Sequence, residues 1–214
     1  MLKLYTYFRS SAAYRVRIAL NLKDLAWTAV PVHLLRDGGQ QNQPEYRSKS
    51  PLGTVPTLED GDLAFTQSLA IIEYLDETHP LPRLLPASAE GRARVRAIAQ
   101  TIACDIHPVN NRRILEALRH RFAADEAAIN DWCATWITAG FDGLEALVRA
   151  QGSGPFAFGA QPTLADVYLV PQIESARRFK VDIGRWPRLQ QIDSACAALE
   201  AFSRAAPAVQ PDAS

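Results

Sequence analysis

Residues 2–20 change their repeat once, and that change constrains the fold more than any other feature of the chain. Leu2, Leu4 and Thr6 alternate with Lys3, Tyr5 and Tyr7, which is a strand pattern. Further on, Val16, Ala19 and Leu20 share one face of a helix, which predicts a helix over 15–23. Arg9, Ser10 and Ser11 lie at the handover. A strand running into a helix places them beside unpaired backbone N–H groups and the positive end of a helix dipole. Such a place can hold an anion and can lower a thiol pKa. Serine is also a preferred N-cap, and both readings stand on the local sequence.

The rest of the first 80 residues continues an α/β pattern. A second strand is predicted over 27–34. Thr57–Glu59 and Leu63–Phe65 flank Asp60-Gly61-Asp62, a hairpin signal, and Ser68–Thr78 reads as a helix. The order βαβ then ββα predicts a parallel pair with a crossover helix, followed by an antiparallel hairpin, in one four-stranded sheet. Residues 79–86 are dense in proline and read as a linker. Three segments are predicted: 1–80, a linker over 81–90, and an all-helical part over 91–214. In the last part Val95, Ile98, Ile102 and Ile106 follow a helical stripe. Thr163-Leu164-Ala165-Asp166 reads as a capping box, so Asp166 is a structural cap worth about 1 kcal/mol. Leu189, Ile192, Cys196, Leu199 and Phe202 predict one last helix, and the tail from Ala206 reads as frayed.

Composition matters mainly for what it excludes. The 23 basic and 23 acidic residues balance, which speaks against a nucleic-acid partner or an anionic membrane surface. No apolar run reaches transmembrane length, and the N-terminus does not read as a signal peptide. Cys104, Cys133 and Cys196 have no metal or disulfide spacing, so reduced, buried thiols in a cytoplasmic protein are expected, and no metal.

Three short pieces carry chemistry. The first is Ser10-Ser11. The second is Thr54-Val55-Pro56-Thr57, where a proline precedes an apolar strand. That position calls for an edge, with the ordinary trans bond, or for a cis bond that turns the Val55 backbone groups outward to pair with an extended peptide. The third is Gln67-Ser68 at a helix start, an anion site or a routine cap. Trp132 and Trp136, at helical spacing, read as core, as do Phe156 and Phe158.

Taken together these pieces resemble the glutathione transferase family over the whole chain. The resemblance implies an α/β thioredoxin-like N-terminal domain and an all-α C-terminal domain. More narrowly, five stretches resemble the zeta class of maleylacetoacetate and maleylpyruvate isomerases. They are Tyr7-Phe8-Arg9-Ser10-Ser11, Arg15-Val16-Arg17-Ile18-Ala19-Leu20, Asp37-Gly38-Gly39-Gln40-Gln41, residues 67–75, and Leu169-Val170-Pro171-Gln172. One departure is Ala12, which stands where the class usually has cysteine, so a nucleophilic protein thiol at that place is excluded.

The resemblance implies reduced glutathione as cofactor. The implied binding residues are Ser10, Ser11, Ala12, Ala13, Tyr14, Arg15, Gln41, Val55, Gln67 and Ser68, with His107, Asn111, Arg112 and Arg113 from the helical half. It further implies Ser10, Arg9 and Ser11 as catalytic, with Ser10 donating to the sulfur. A small dianionic keto acid would be the substrate, held by Arg9, Arg113 and Arg178. A homodimer is also implied. Arg112, Arg177 and Arg15 read equally as solvated or ion-paired residues, and His107 as a satisfied histidine. The activity expected is the cis–trans isomerisation of maleylacetoacetate, with maleylpyruvate as the alternative. A general transferase acting on electrophiles such as α-haloacids is a second class of function. A non-catalytic protein on the same fold is the third.

Overall fold

A computed structural model describes residues 1–213. The chain divides by packing into two units. One is Met1–Arg83 together with the chain from Ala198 onward, and the other is Leu84–Ala197. The last segment therefore groups with the α/β unit and not with the helices that precede it in sequence.

The first unit is built on β1 (Leu2–Thr6), β2 (Trp27–Pro31), β3 (Thr57–Asp60) and β4 (Leu63–Thr66). Their order is β2-β1-β3-β4. β1 pairs parallel to β2, with Leu4 opposite Ala29, and antiparallel to β3, with Leu4 opposite Leu58. β3 pairs antiparallel with β4 across the predicted hairpin. Helix α1 (Ser11–Leu22) makes the crossover between the parallel strands and begins four residues earlier than its apolar stripe predicts. The difference is Ser10, which caps it: the Ser10 Oγ accepts from the Ala13 N–H at 3.2 Å. Helix α3 (Ser68–Thr78) keeps its predicted bounds and buries Ile71, Ile72 and Leu75.

Residues 32–56 carry the largest local departure. The predicted second strand stops at Pro31, tolerated because β2 is the edge strand and the next N–H, that of Val32, still donates to Thr6 O at 2.8 Å. A short helix α2 (Pro44–Lys49), unseen in the apolar pattern, follows, with Pro44 at its start. Tyr46 of α2 is buried, and its hydroxyl donates to Thr54 O at 2.7 Å. The Ser50 hydroxyl also binds Thr54, donating to its C=O at 2.8 Å and accepting from its N–H at 3.2 Å. The chain thus enters Val55 from a residue held at both backbone groups. Val55, Tyr7, Val32 and Tyr46 form a small buried cluster against which Phe8 and Leu34 pack.

The second unit contains α4 (Ala89–Gln100), α5 (Arg112–Phe122), α6 (Glu126–Arg149), α7 (Leu164–Arg178) and α8 (Pro187–Ala197). Between α4 and α5 the backbone widens into a π-helical turn over Thr101–Ile106. Here His107 N–H reaches back to Ile102 O at 2.9 Å, which lets the helix end before Pro108. Ile106 lies where a Cβ on Gly140 of α6 would stand 2.3 Å from its Cδ1, so only glycine admits this approach.

Asp166 forms the predicted capping box on α7 and does more than cap. It is fully buried, and its carboxylate accepts from Thr163 N, from Thr163 Oγ1, and from Ala157 N at 2.7 Å. It therefore ties the preceding loop to α7, and the single-cap value of about 1 kcal/mol understates it. Burial pushes its carboxyl up, and these hydrogen bonds oppose that rise.

Three other expectations are corrected. The single last helix is two, α8 and α9 (Glu200–Ser203), because Ala198 and Leu199 leave helical geometry. The tail is not frayed: Ala205 and Gln210 are buried, and Asp212 accepts a hydrogen bond from Phe8 N. Cys133 and Cys196 are buried but Cys104 is exposed.

Candidate active site

Ser10 and Ser11 stand at the C-terminal end of β1, at the start of α1. Ser10 is half-buried with extended backbone (φ −75°, ψ 114°). Its oxygen accepts from Ala13 N, so its own proton is left over to donate. Arg9 beside it is exposed. Ala12 follows with no reactive group. Ala13, Tyr14 and Arg15 are buried, and the Tyr14 hydroxyl donates to Phe202 O at 3.4 Å. The N–H groups of Ala13 and Tyr14 are bonded to Ser10 Oγ and Ser10 O, so a ligand at this helix start would meet the backbone N–H groups of Ser11 and Ala12.

Arg15 instead reaches the second anion-holding element. Its Nη1 donates to the Ser68 Oγ at 3.4 Å, and it is only 2% exposed. A buried cation therefore lies against the first residue of α3, where the helix dipole is already positive. Gln67 precedes it in the left-handed region (φ 69°, ψ 117°), and no side chain caps the helix. A non-glycine residue in that region is held there by its surroundings, and such residues concentrate at ligand sites. No sequence signal marks this strain.

The Val55–Pro56 bond is cis. Val55 precedes the strand ladder, whose β1–β3 register begins at Thr57, so the ladder does not use its backbone groups. Gln41 completes this group of residues. It is buried, its Nε2 donates to Leu34 O at 3.4 Å, and its Oε1 has no hydrogen-bond partner among the described residues. Gly39 makes room for it, since a Cβ there would lie 2.5 Å from Gln41 Nε2. Gly39 also has φ +91°, which favours glycine.

The remaining predicted residues belong to the second unit. Asn111 caps α5, its Oδ1 accepting from Arg113 N at 3.1 Å. Arg112 lies 4.0 Å from Glu116, and Arg113 is exposed. The half-buried His107 sits at the end of the π-helical turn. Trp132 Nε1 donates to Val109 O at 3.0 Å, so this indole braces the turn that carries His107 and Asn111. Trp136 stacks edge-on against Trp132 but is 40% exposed, so it is not the core residue expected. Of the adjacent arginines on α7, Arg177 pairs with Asp193 and Glu174. Arg178 is exposed, donates to Ser175 Oγ at 3.4 Å and lies over the Phe179 ring. Sequence reasoning missed Gln67's strain, Trp132's hydrogen bond and Arg15's link to Ser68.

The family model "Glutathione S-transferase, N-terminal domain" matches residues 4–83, and "Glutathione S-transferase, C-terminal domain" matches residues 112–205. The chain belongs to the glutathione S-transferase family. It is 53% identical over 212 residues to the maleylpyruvate isomerase of Ralstonia sp., covering 99% of each protein. A solved maleylpyruvate isomerase, described as a bacterial glutathione S-transferase of the zeta class, superposes with a TM-score of 0.96 at 53% identity, over 99% of this chain and 100% of that one. The maleylacetoacetate isomerase of Anaeromyxobacter dehalogenans, solved with glutathione in its active site, gives 0.89 at 43% identity, over 100% and 98%. Within its family this transferase-fold protein belongs to the zeta class. The α/β and all-α halves expected from the sequence are those of the family. Among the described residues no His, Cys, Asp or Glu cluster could hold a metal ion, and no helix is long and apolar enough to cross a membrane.

Proposed function

We propose that the protein is a glutathione-dependent cis–trans isomerase that converts maleylacetoacetate to fumarylacetoacetate. The observation that carries the reading is the half-buried Ser10 hydroxyl, fixed as a helix cap with its proton free, beside the exposed cation Arg9. The first unit's residues fit glutathione. The start of α3, backed by Arg15, suits a carboxylate. Val55 offers backbone groups outside the ladder, and Gln41 Oε1 is a buried acceptor without a partner among the described residues. Ser11 and the Ala12 N–H line the same helix start, and Ala13 and Tyr14 behind them hold Ser10 through their own N–H groups. In the second unit, His107, Asn111, Arg112 and Arg113 are the residues we assign to further glutathione contacts.

Glutathione, when bound, supplies a thiolate whose reversible addition to the maleyl double bond allows rotation about it. Every other part of the chemistry belongs to the chain. Ser10 donates a hydrogen bond to the sulfur, and the α1 dipole favours its anionic form. Arg9, Arg113 and Arg178 take the two carboxylates of the substrate through planar forks, and Arg113 and Arg178 are exposed as that role requires. Arg177 is assigned no such role, since it is already paired. We further propose a homodimer acting in the cytoplasm, which light scattering and cell fractionation test.

Maleylpyruvate is the second reading, favoured by the 53% identity to the Ralstonia isomerase over nearly the whole chain. The deciding experiment follows freshly made maleylacetoacetate and maleylpyruvate with catalytic glutathione. Fumaryl product without consumption of glutathione supports the isomerase, and the ratio of the two kcat/KM values names the substrate. Turnover of neither, with conjugation of an α-haloacid, would replace it with the general transferase reading.

A further inference from the structure

The chain from Ala198 onward crosses α1 and ends at the turn that carries Ser10. Asn21 Nδ2 donates to Ala201 O at 3.0 Å, and the buried Arg17 donates through Nε to Ala205 O at 2.9 Å. Phe202 and Ala205 are each 1% exposed and anchor the segment. Beyond them Gln210 folds the segment onto itself, donating to Arg204 O and Ala206 O. Asp212 Oδ2 then accepts from Phe8 N at 2.9 Å.

The side chains of Tyr7 and Phe8 pack the turn from Tyr7 to Ser10 onto the Val32, Tyr46 and Val55 cluster, and a few hydrogen bonds fix its backbone. Its one internal backbone bond is Ser10 N to Tyr7 O at 3.0 Å. Tyr7 O also accepts from Arg17 at 3.4 Å and Phe8 O at 3.2 Å, and Arg17 Nη1 donates to Thr6 Oγ1 at 3.0 Å. Arg17 and Asp212 thus grip opposite polarities of the same turn, and they attract one another. The segment's apolar anchors lie upstream of Asp212, so docking the segment does not need that carboxylate. Its hydrogen bond goes to the turn.

We propose that Asp212 is a positioning residue for the reaction, holding the Ser10 turn through the Phe8 N–H. The inference rests on the isomerase reading above, in which Ser10 meets the thiol. Charged acceptors make the stronger hydrogen bonds, and small displacements of a reacting group are costly. In the proposed site Gln67, Ser68, Val55 and Gln41 hold glutathione, whereas the Asp212 carboxylate meets the Phe8 N–H.

The test compares Asp212→Ala and Asp212→Asn in the full chain, reading amide hydrogen exchange at Phe8–Ser11, glutathione Kd, kcat and Tm. The alanine variant should exchange faster at the turn and lose about tenfold in kcat, with unchanged Kd. The asparagine variant keeps an acceptor but not the charge, and should fall between alanine and the parent in both. Phe202→Ala reports the cost of loosening the segment's anchor, seen first in Tm. Wild-type exchange and kcat in Asp212→Ala would overturn the proposal, as would an asparagine variant no better than alanine. If the unmodified protein isomerises neither maleyl substrate, the isomerase reading falls by itself. Exchange at the turn and the thiolate absorbance of bound glutathione then still decide what Asp212 does.

Discussion

Removing the Ser10 hydroxyl should have two effects that can be separated. In Ser10→Ala, α1 loses the acceptor that now lies 3.2 Å from Ala13 N. An N-cap lost to alanine costs about 1 kcal/mol. In a chain of this size that lowers Tm by about 2–4 °C. The second effect falls on the sulfur. A hydrogen bond to a charged group is worth about 1.5–3 kcal/mol, so losing it should cost about ten- to a hundredfold in kcat/KM. The same loss should raise the pKa of bound thiol by about one to two units and move the alkaline-going limb of the rate profile upward with it. Ser10→Asp serves as the control, because aspartate caps a helix about as well as serine and has no proton to donate. It should melt like the parent and still lose turnover. The assay is initial rate on the preferred maleyl substrate at saturating glutathione across pH, beside a thermal melt. Should Ser10→Ala lose the expected few degrees but keep kcat/KM and its pH profile, Ser10 is only a cap, and Ser11→Ala takes over the test.

Asp166→Ala should destabilise the protein by about 3 kcal/mol or more, because two buried N–H groups, those of Ala157 and Thr163, lose their acceptor; a loss near that of a simple cap, in urea unfolding, would contradict this account. Alkylation of the native protein at neutral pH should add one group, at Cys104. Cys133 and Cys196 are buried, and burial pushes the Cys133 thiol up to about 11 and the Cys196 thiol higher still; mass spectra with two or three adducts before unfolding would refute it. Lys49, hydrogen-bonded to Glu59, holds the Glu59 carboxyl below its usual range. A lowered folded pKa gives stability that is complete above the unfolded value of about 4.3 and lost as pH falls through the folded one. Glu59→Gln should therefore flatten the acid limb of Tm against pH, by about 1 kcal/mol or less because Lys49 is partly exposed, and an unaltered limb would show that the pair contributes nothing.

Local pattern made much of this protein legible. The strand-to-helix change placed Ser10, the Asp60-Gly61-Asp62 turn placed the hairpin, and Gln67-Ser68 marked the start of α3 at its observed residue. Helix α2 escaped because it is short and held largely by Tyr46, whose hydroxyl reaches Thr54. The two arginines of α7 look alike in sequence. Only the approach of Asp193 from α8 makes Arg177 a structural partner and leaves Arg178 exposed.

The sequence by itself determined most of the longer elements and the residue types at the candidate site, because period, caps and turn residues act over a few neighbours. Tertiary structure decided what those neighbours cannot encode. It brought the chain from Ala198 back to α1, so that a tail composed of small and polar residues ends on the Phe8 N–H. It buried Arg17 among four backbone and side-chain acceptors and set Arg15 against Ser68. It held Gln67 at positive φ. Each of these outcomes depends on contacts between residues far apart in sequence, whose energies exist only once the fold has brought them together.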